Sequence, residues 1–154
     1  MNSKISSVKP DGSLPTLKLV LDTNVYIQSL MRPGSFLDTL IRDIAAGRLA
    51  ELYTSPEILV ELRRKAEDRF QLNPGQSRDL LLTCRSICQV VEPAERVNAV
   101  PNDPDDNKIL ECALEAAADI IITADKDLLK LKEFKDIKII HPSMLKYLFP
   151  GPQV

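Results

Sequence analysis

Short, largely apolar runs recur along this chain, spaced so that helices fit between them. Leu17-Lys18-Leu19-Val20-Leu21, Ile120-Ile121-Ile122-Thr123 and Ile137-Lys138-Ile139-Ile140 are too short for helices and read as buried strands. Glu51 to Thr54 and Gln89-Val90-Val91 are two weaker runs of the same kind. The intervening segments carry the helical period. From Ser35, apolar residues fall at Phe36, Leu37, Leu40, Ile41, Ile44 and Ala45, and Gly47 supplies a stop. Ser55-Pro56 offers an N-cap and a first-turn proline for a helix reaching about Phe70, with Ile58, Leu59 and Leu62 on its core face. Residues 74–88, 106–118 and a short stretch after Asp127 continue the series, residues 92–100 read as a proline-bearing loop, and residues 142–149 close the chain as a helix. About five strands separated by helices predict a parallel sheet covered on both faces, a three-layer α/β/α sandwich.

A chain of 154 residues with 44% hydrophobic and 27% charged content matches one globular domain. Residues 1–16 lack any apolar period and read as a flexible tail, residues 17–150 as the single domain and residues 151–154 as a second tail. The N-terminal segment has no signal-peptide core, and no apolar stretch approaches membrane-spanning length. Cys84, Cys88 and Cys112 form no CxxC pair and leave an odd thiol, which suits the reducing cytoplasm and small buried side chains. With His141 the only histidine, a two-histidine nuclease is excluded. Twenty Lys and Arg against twenty-two Asp and Glu give a net charge of -2, so nucleic acid would have to be held by a local site rather than a broad positive field.

Carboxylates are the remaining chemistry. In an open parallel sheet, ligands lie beyond the C-terminal strand ends, where Asp22 follows the first strand and Asp125 and Asp127 follow the Ile120 strand. The Asn102-Asp103-Pro104-Asp105-Asp106-Asn107 loop opens a helix, and Glu61 lies at the border of a buried helix face. Acids gathered in one crevice repel unless protons or a hard cation neutralise them, and oxygen-only donors suit Mg²⁺ or Mn²⁺. Metal-dependent phosphodiester hydrolysis is the natural candidate chemistry for such a site. The Asp103 loop is no calcium hand, because Lys108 stands where the glycine belongs and Leu114 where the bidentate glutamate belongs. Asp22-Thr23-Asn24 lacks the second aspartate of a DxD phosphatase, and the acid, threonine and lysine set of a receiver domain is incomplete.

LDTNV at 21–25, SPEILVEL at 55–62, DPDDNKILECAL at 103–114 and ITADKDLL at 122–129 together resemble the PIN-domain ribonucleases, specifically the VapC-like toxins of toxin–antitoxin systems. The resemblance covers about residues 17–149. It implies that Asp22, Glu61, Asp106 and Asp125 are the metal-coordinating catalytic acids, with Asp106 favoured because it directly precedes the helix and Asp105 a possible substitute. Asn24 and Thr123 match supporting polar positions, and Asp127 an accessory acid; Asp125 and Asp127 divide capping and binding in either order. It further implies an endoribonuclease using Mg²⁺ or Mn²⁺ and metal-activated water, an RNA substrate, a small antitoxin partner and a homo-oligomer such as a dimer. Exposed apolar residues on the 74–88 helix would supply the oligomer contact. The alternatives are a catalytically weak PIN-like binding module and a Mg²⁺-dependent phosphatase or phosphotransfer domain.

Basic residues bear on substrate. Arg63-Arg64-Lys65 with Arg69 reads as a solvated helix face, with Glu61 pairing Arg64 or Lys65 in the plain case. Arg32, Lys108 and Lys126 are candidates for phosphate contact, and His141 before Pro142 for a structural role. Only 5% of residues are aromatic and none is tryptophan, so selection by base stacking is disfavoured.

Overall fold

The computed structural model describes residues 16–47 and 49–149, so the expected tails fall outside it except for Thr16. Its elements are β1 (Leu17–Leu21), α1 (Thr23–Met31), α2 (Phe36–Gly47), β2 (Ala50–Thr54), α3 (Pro56–Asp68), α4 (Pro74–Ile87), β3 (Cys88–Val90), α5 (Pro104–Ala116), β4 (Ile120–Ile122), α6 (Lys126–Leu131), β5 (Glu133–Phe134), β6 (Ile137–Ile140), a 3₁₀ turn at Pro142–Met144 and α7 (Leu145–Leu148). The sheet order is β3-β2-β1-β4-β6-β5. All pairings are parallel except β5 with β6.

Alternate residues of the central strands serve opposite layers, as the twofold strand period requires. Leu19, Leu21, Leu52, Ile120 and Ile122 pack with Val25, Tyr26 and Ile27 of α1, Ile41 and Ile44 of α2, and Leu59 and Leu62 of α3. Val20, Ile121 and Ile139 join the second core with Ile109, Leu110 and Ala113 of α5 and Leu128 of α6. The helices between them begin where caps dictate. Ser55 Oγ accepts from the Ile58 N–H at 3.3 Å ahead of Pro56, and Asn73 and Gln76 form a reciprocal capping box around Pro74.

Three features differ from the sequence reading. A further helix, α1, starts immediately after Asp22, before the helix expected from Ser35. The sheet has a sixth strand, β5, two residues long and antiparallel. Its hairpin turns through Lys135 (φ 49°) and Asp136 (φ 69°), the left-handed pair of a type I′ turn built without Gly or Asn. Finally, α5 is capped by Asp103, whose carboxylate accepts from the Asp105 N–H, because Pro104 suits the first helical position; Asp106 lies inside the first turn rather than ahead of the helix.

After β3 the chain crosses back to place β4 on the other side of β1. The strand order therefore reverses between β1 and β4, the switch point beyond which α/β sheets open a crevice.

Candidate metal centre

Asp22 leaves β1 at that switch point and is 5% exposed. Its N–H continues the ladder to the Ile122 carbonyl at 2.9 Å, and its carboxylate caps α1. Oδ1 accepts from the Thr23 N–H at 2.6 Å and from Thr23 Oγ1 at 3.2 Å, and Oδ2 accepts from Thr123 Oγ1 at 2.7 Å. Thr123, fully buried at the end of β4, also accepts from the Asp125 N–H at 3.0 Å. One hydroxyl thus ties together the acids that end the two strands.

Asp125 caps α6, with Oδ1 accepting from the Asp127 and Leu128 N–H groups at 2.8 and 3.2 Å. Asp106 arrives from α5 and is buried. Burial, a hydrogen bond with Asp125, and the negative charges of Asp125, Asp103 and Asp22 push its carboxyl up to about 8. Its Oδ2 is buried without a hydrogen-bond partner. Asp103, Asp106 and Asp127 bring ligand atoms within 4.8 Å of one another. Asn24 is the second residue of α1, and its Oδ1 is likewise buried and unpartnered.

Glu61 stands apart from this cluster. Its side chain is 12% exposed and is gripped by Arg64, with Nη2 donating to Oε1 at 2.6 Å and Nε to Oε2 at 3.1 Å. The same guanidinium reaches Asp105 at 3.3 Å, bridging α3 to the α5 N-terminus. Lys65, 13% exposed, lies 4.0 Å from Glu61 Oε1 and donates to Thr23 Oγ1 at 3.3 Å. Glu61 is therefore linked to the Asp22 end through a lysine and to Asp105 through an arginine.

Sequence reasoning read the i+3 and i+4 pairing of Glu61 with Arg64 and Lys65 but missed the Lys65 to Thr23 contact and the Arg64 to Asp105 bridge, which join separate elements and leave no local spacing signal. It also missed the support behind α5. Asn107 Oδ1 accepts from the Ala99 and Val100 N–H groups, Glu111 from Val97 and Glu115 from Ala94, a stripe one helical turn apart that pins the 92–100 loop. His141 plays the expected structural part, its Nδ1 accepting from the Ser143 N–H at 3.1 Å.

The donors are all oxygen, Asp106 Oδ2 lacks a partner, and the Asp106 carboxyl is raised first by burial and then by its acid neighbours. A hard divalent cation fits such a set better than a soft transition metal.

The fold and the crevice define a three-layer α/β protein with a carboxylate site at its switch point. The sequence profile of the PIN domain matches residues 18–127. Over 128 residues, 80% of this chain and 81% of the other, the sequence is 35% identical to "Uncharacterized protein MJ1680" of Methanocaldococcus jannaschii. This chain belongs to the PIN-domain family. Its fold is similar to VapBC2 from Rickettsia felis, solved bound to a DNA fragment from their promoter, with a TM-score of 0.60 and 14% identity over 81% of this chain and 98% of that one. VapBC-1 from nontypeable Haemophilus influenzae matches with a TM-score of 0.58 and 20% identity, over 82% of this chain and 99% of that one. PAE2754 from Pyrobaculum aerophilum matches with a TM-score of 0.56 and 17% identity, over 86% of this chain and 88% of that one. Among the described residues, no helix is long and apolar enough to cross a membrane.

Proposed function

We propose that this protein is a Mg²⁺- or Mn²⁺-dependent endoribonuclease and the toxin of a two-component toxin–antitoxin pair. The observation that carries the reading is Asp106, a buried carboxylate with an unpartnered oxygen, set against Asp125, Asp103 and Asp22. Uncompensated acids at such spacing are costly, and a divalent ion relieves that cost. Asp22, Asp106 and Asp125 would hold it, with Glu61 as a fourth ligand once released from Arg64. Asp103, Asp105 and Asp127 stand ready as accessory acids, and Asn24 and Thr123 as polar support. When bound, the ion supplies charge neutralisation at a phosphate and a nucleophilic water at neutral pH.

The chain's own residues do the positioning. Thr23 and Thr123 fix both Asp22 oxygens, so that carboxylate needs no reorientation before reaction. Arg64 and the exposed Lys126 are the cations placed to receive phosphates flanking the scissile one. Two VapBC assemblies among the similar structures support a small protein partner, and a basic side chain inserted into the acidic crevice is the economical way for it to silence the site. The cytoplasm suits three free thiols. A homodimer is part of the reading, with Leu82 the large exposed apolar residue on α4.

A second reading, a PIN-domain binding module with weak metal affinity, is favoured by the full engagement of Glu61 with Arg64. Labelled tRNA, mRNA and rRNA fragments incubated with EDTA, Mg²⁺ or Mn²⁺ separate the two. Metal-dependent cuts lost in a folded Asp22→Asn variant support the nuclease; no cuts in any condition support the binding module.

A further inference from the structure

We propose that Cys84 and Cys88 form a peroxide-responsive dithiol, a modification site at which the two sulfurs close reversibly into an intramolecular disulfide. Cys84 belongs to the last full turn of α4 and Cys88 caps that helix and opens β3. Their Sγ atoms lie 3.9 Å apart, and Cys88 Sγ is also 2.9 Å from the hydroxyl of Tyr26. Bond formation needs the sulfurs to approach to about 2.05 Å. The region permits it, because β3 is the edge of the sheet and pairs with β2 alone. An adjustment at Cys88 therefore disturbs one strand pairing instead of two.

The two thiols are unequal in the way a reacting pair must be. Cys84 is wholly buried in the first core, whereas Cys88 is half-buried at its margin. Hydrogen bonds from Cys84 and Tyr26 hold the Cys88 thiol below its usual value against the opposing effect of burial, and the same contact with Cys88, together with burial, raises Cys84. Cys88 is thus the nucleophile and Cys84 the resolving thiol. Cys112, buried on α5 among the second core, is held high by burial and stays out of the reaction.

The oxidant is hydrogen peroxide or an organic hydroperoxide. The Cys88 thiolate attacks one peroxide oxygen, the O–O bond breaks, and the leaving hydroxide takes the thiol proton as water, giving a sulfenic acid. Cys84 sulfur then attacks that sulfur, the S–S bond forms, the S–O bond breaks, and the second oxygen leaves as water with the Cys84 proton. Two thiols lose two electrons, and one hydrogen peroxide is reduced to two waters; with an organic hydroperoxide the first leaving group is the alkoxide, released as its alcohol, and one water forms. The Tyr26 hydroxyl loses its thiol partner as a result. Because Tyr26 lies one turn past Asp22 on α1, the modification reports on the helix that Asp22 caps.

The full chain treated with stoichiometric peroxide, then alkylated and mapped by mass spectrometry, should lose two hydrogens within a Cys84–Cys88 peptide. Dithiothreitol should restore them. Cys112 should remain alkylated. In Cys84→Ser, the sulfenic-acid probe dimedone should label Cys88 stoichiometrically; in Cys88→Ser neither the label at Cys84 nor the crosslink should appear. Equal alkylation of all three cysteines after peroxide, dimedone on Cys112 in place of Cys88, or a disulfide only between molecules would each overturn the proposal. Since these readouts are masses, they are independent of any nuclease activity.

Discussion

Asp22 ends β1, caps α1 and offers a carboxylate to the crevice, and Thr123 fixes one of its oxygens from the neighbouring strand. Replacing Thr123 with valine keeps the shape and removes the hydroxyl that joins Asp22 to Asp125. Because supporting groups behind metal ligands typically matter by about 10–100-fold, Thr123→Val should weaken Mn²⁺ binding by that factor in calorimetry. An unchanged affinity would mean that Asp22 is not a ligand. Arg64 predicts the opposite sign. Its removal in Arg64→Ala frees Glu61, so Mn²⁺ should bind more tightly while the melting temperature stays near wild type, as befits an exposed ion pair. Tighter binding with weaker RNA cleavage would identify Arg64 as a phosphate contact; unchanged binding would place Glu61 outside the metal shell.

At the scale of elements, legibility followed local rules. The β1, β4 and β6 runs, the Ser55-Pro56 start of α3 and the acids after β1 and β4 could all be read, because burial on both faces and helix capping leave marks in neighbouring residues. The α1 helix left little mark, since Thr23, Val25, Tyr26, Ile27 and Ser29 are all buried and no polar stripe separates from an apolar one. The β5 hairpin was hidden for another reason: Lys135 and Asp136 occupy left-handed positions usually signalled by Asn-Gly. Substituting Asn at 135 together with Gly at 136 should therefore stabilise the protein by about 0.5–1 kcal/mol. Thermal unfolding would show this as a rise of a few degrees, and a fall would mean that the two side chains make compensating contacts. The contacts of Glu61 were legible as i+3 and i+4 pairs, but the reach of Arg64 to Asp105 is a tertiary contact that spacing alone does not encode.

For the whole molecule, the raised carboxyl at Asp106 couples the site to stability. In the folded protein it titrates at about 8, against the ordinary 3.8. Between those values the folded state binds more protons than the unfolded one, so unfolding free energy falls as pH rises from about 4 to about 8 and levels off above. Asp38 and Glu67 act in the opposite sense. Gly34 and Arg42 outweigh burial at Asp38, and Ser77 and Arg63 hold Glu67 down, so their stabilisation is present above the ordinary carboxylate range and lost as pH falls below it. Chemical denaturation in EDTA should trace the falling limb, and saturating Mn²⁺, which selects the deprotonated folded site, should flatten it. Asp106→Asn should remove most of that slope. A slope of equal size in the variant would assign it to other groups.

In the proposed function, the Asp22, Asp106 and Asp125 carboxylates hold a divalent ion that supports RNA cleavage. Mn²⁺ titration and RNA cleavage, run side by side on wild type, Asp22→Asn and Asp106→Asn, test it most directly. Saturable Mn²⁺ binding and EDTA-sensitive cuts are expected in the wild type, with both lost in the folded variants. Cleavage that survives both substitutions or EDTA would contradict it.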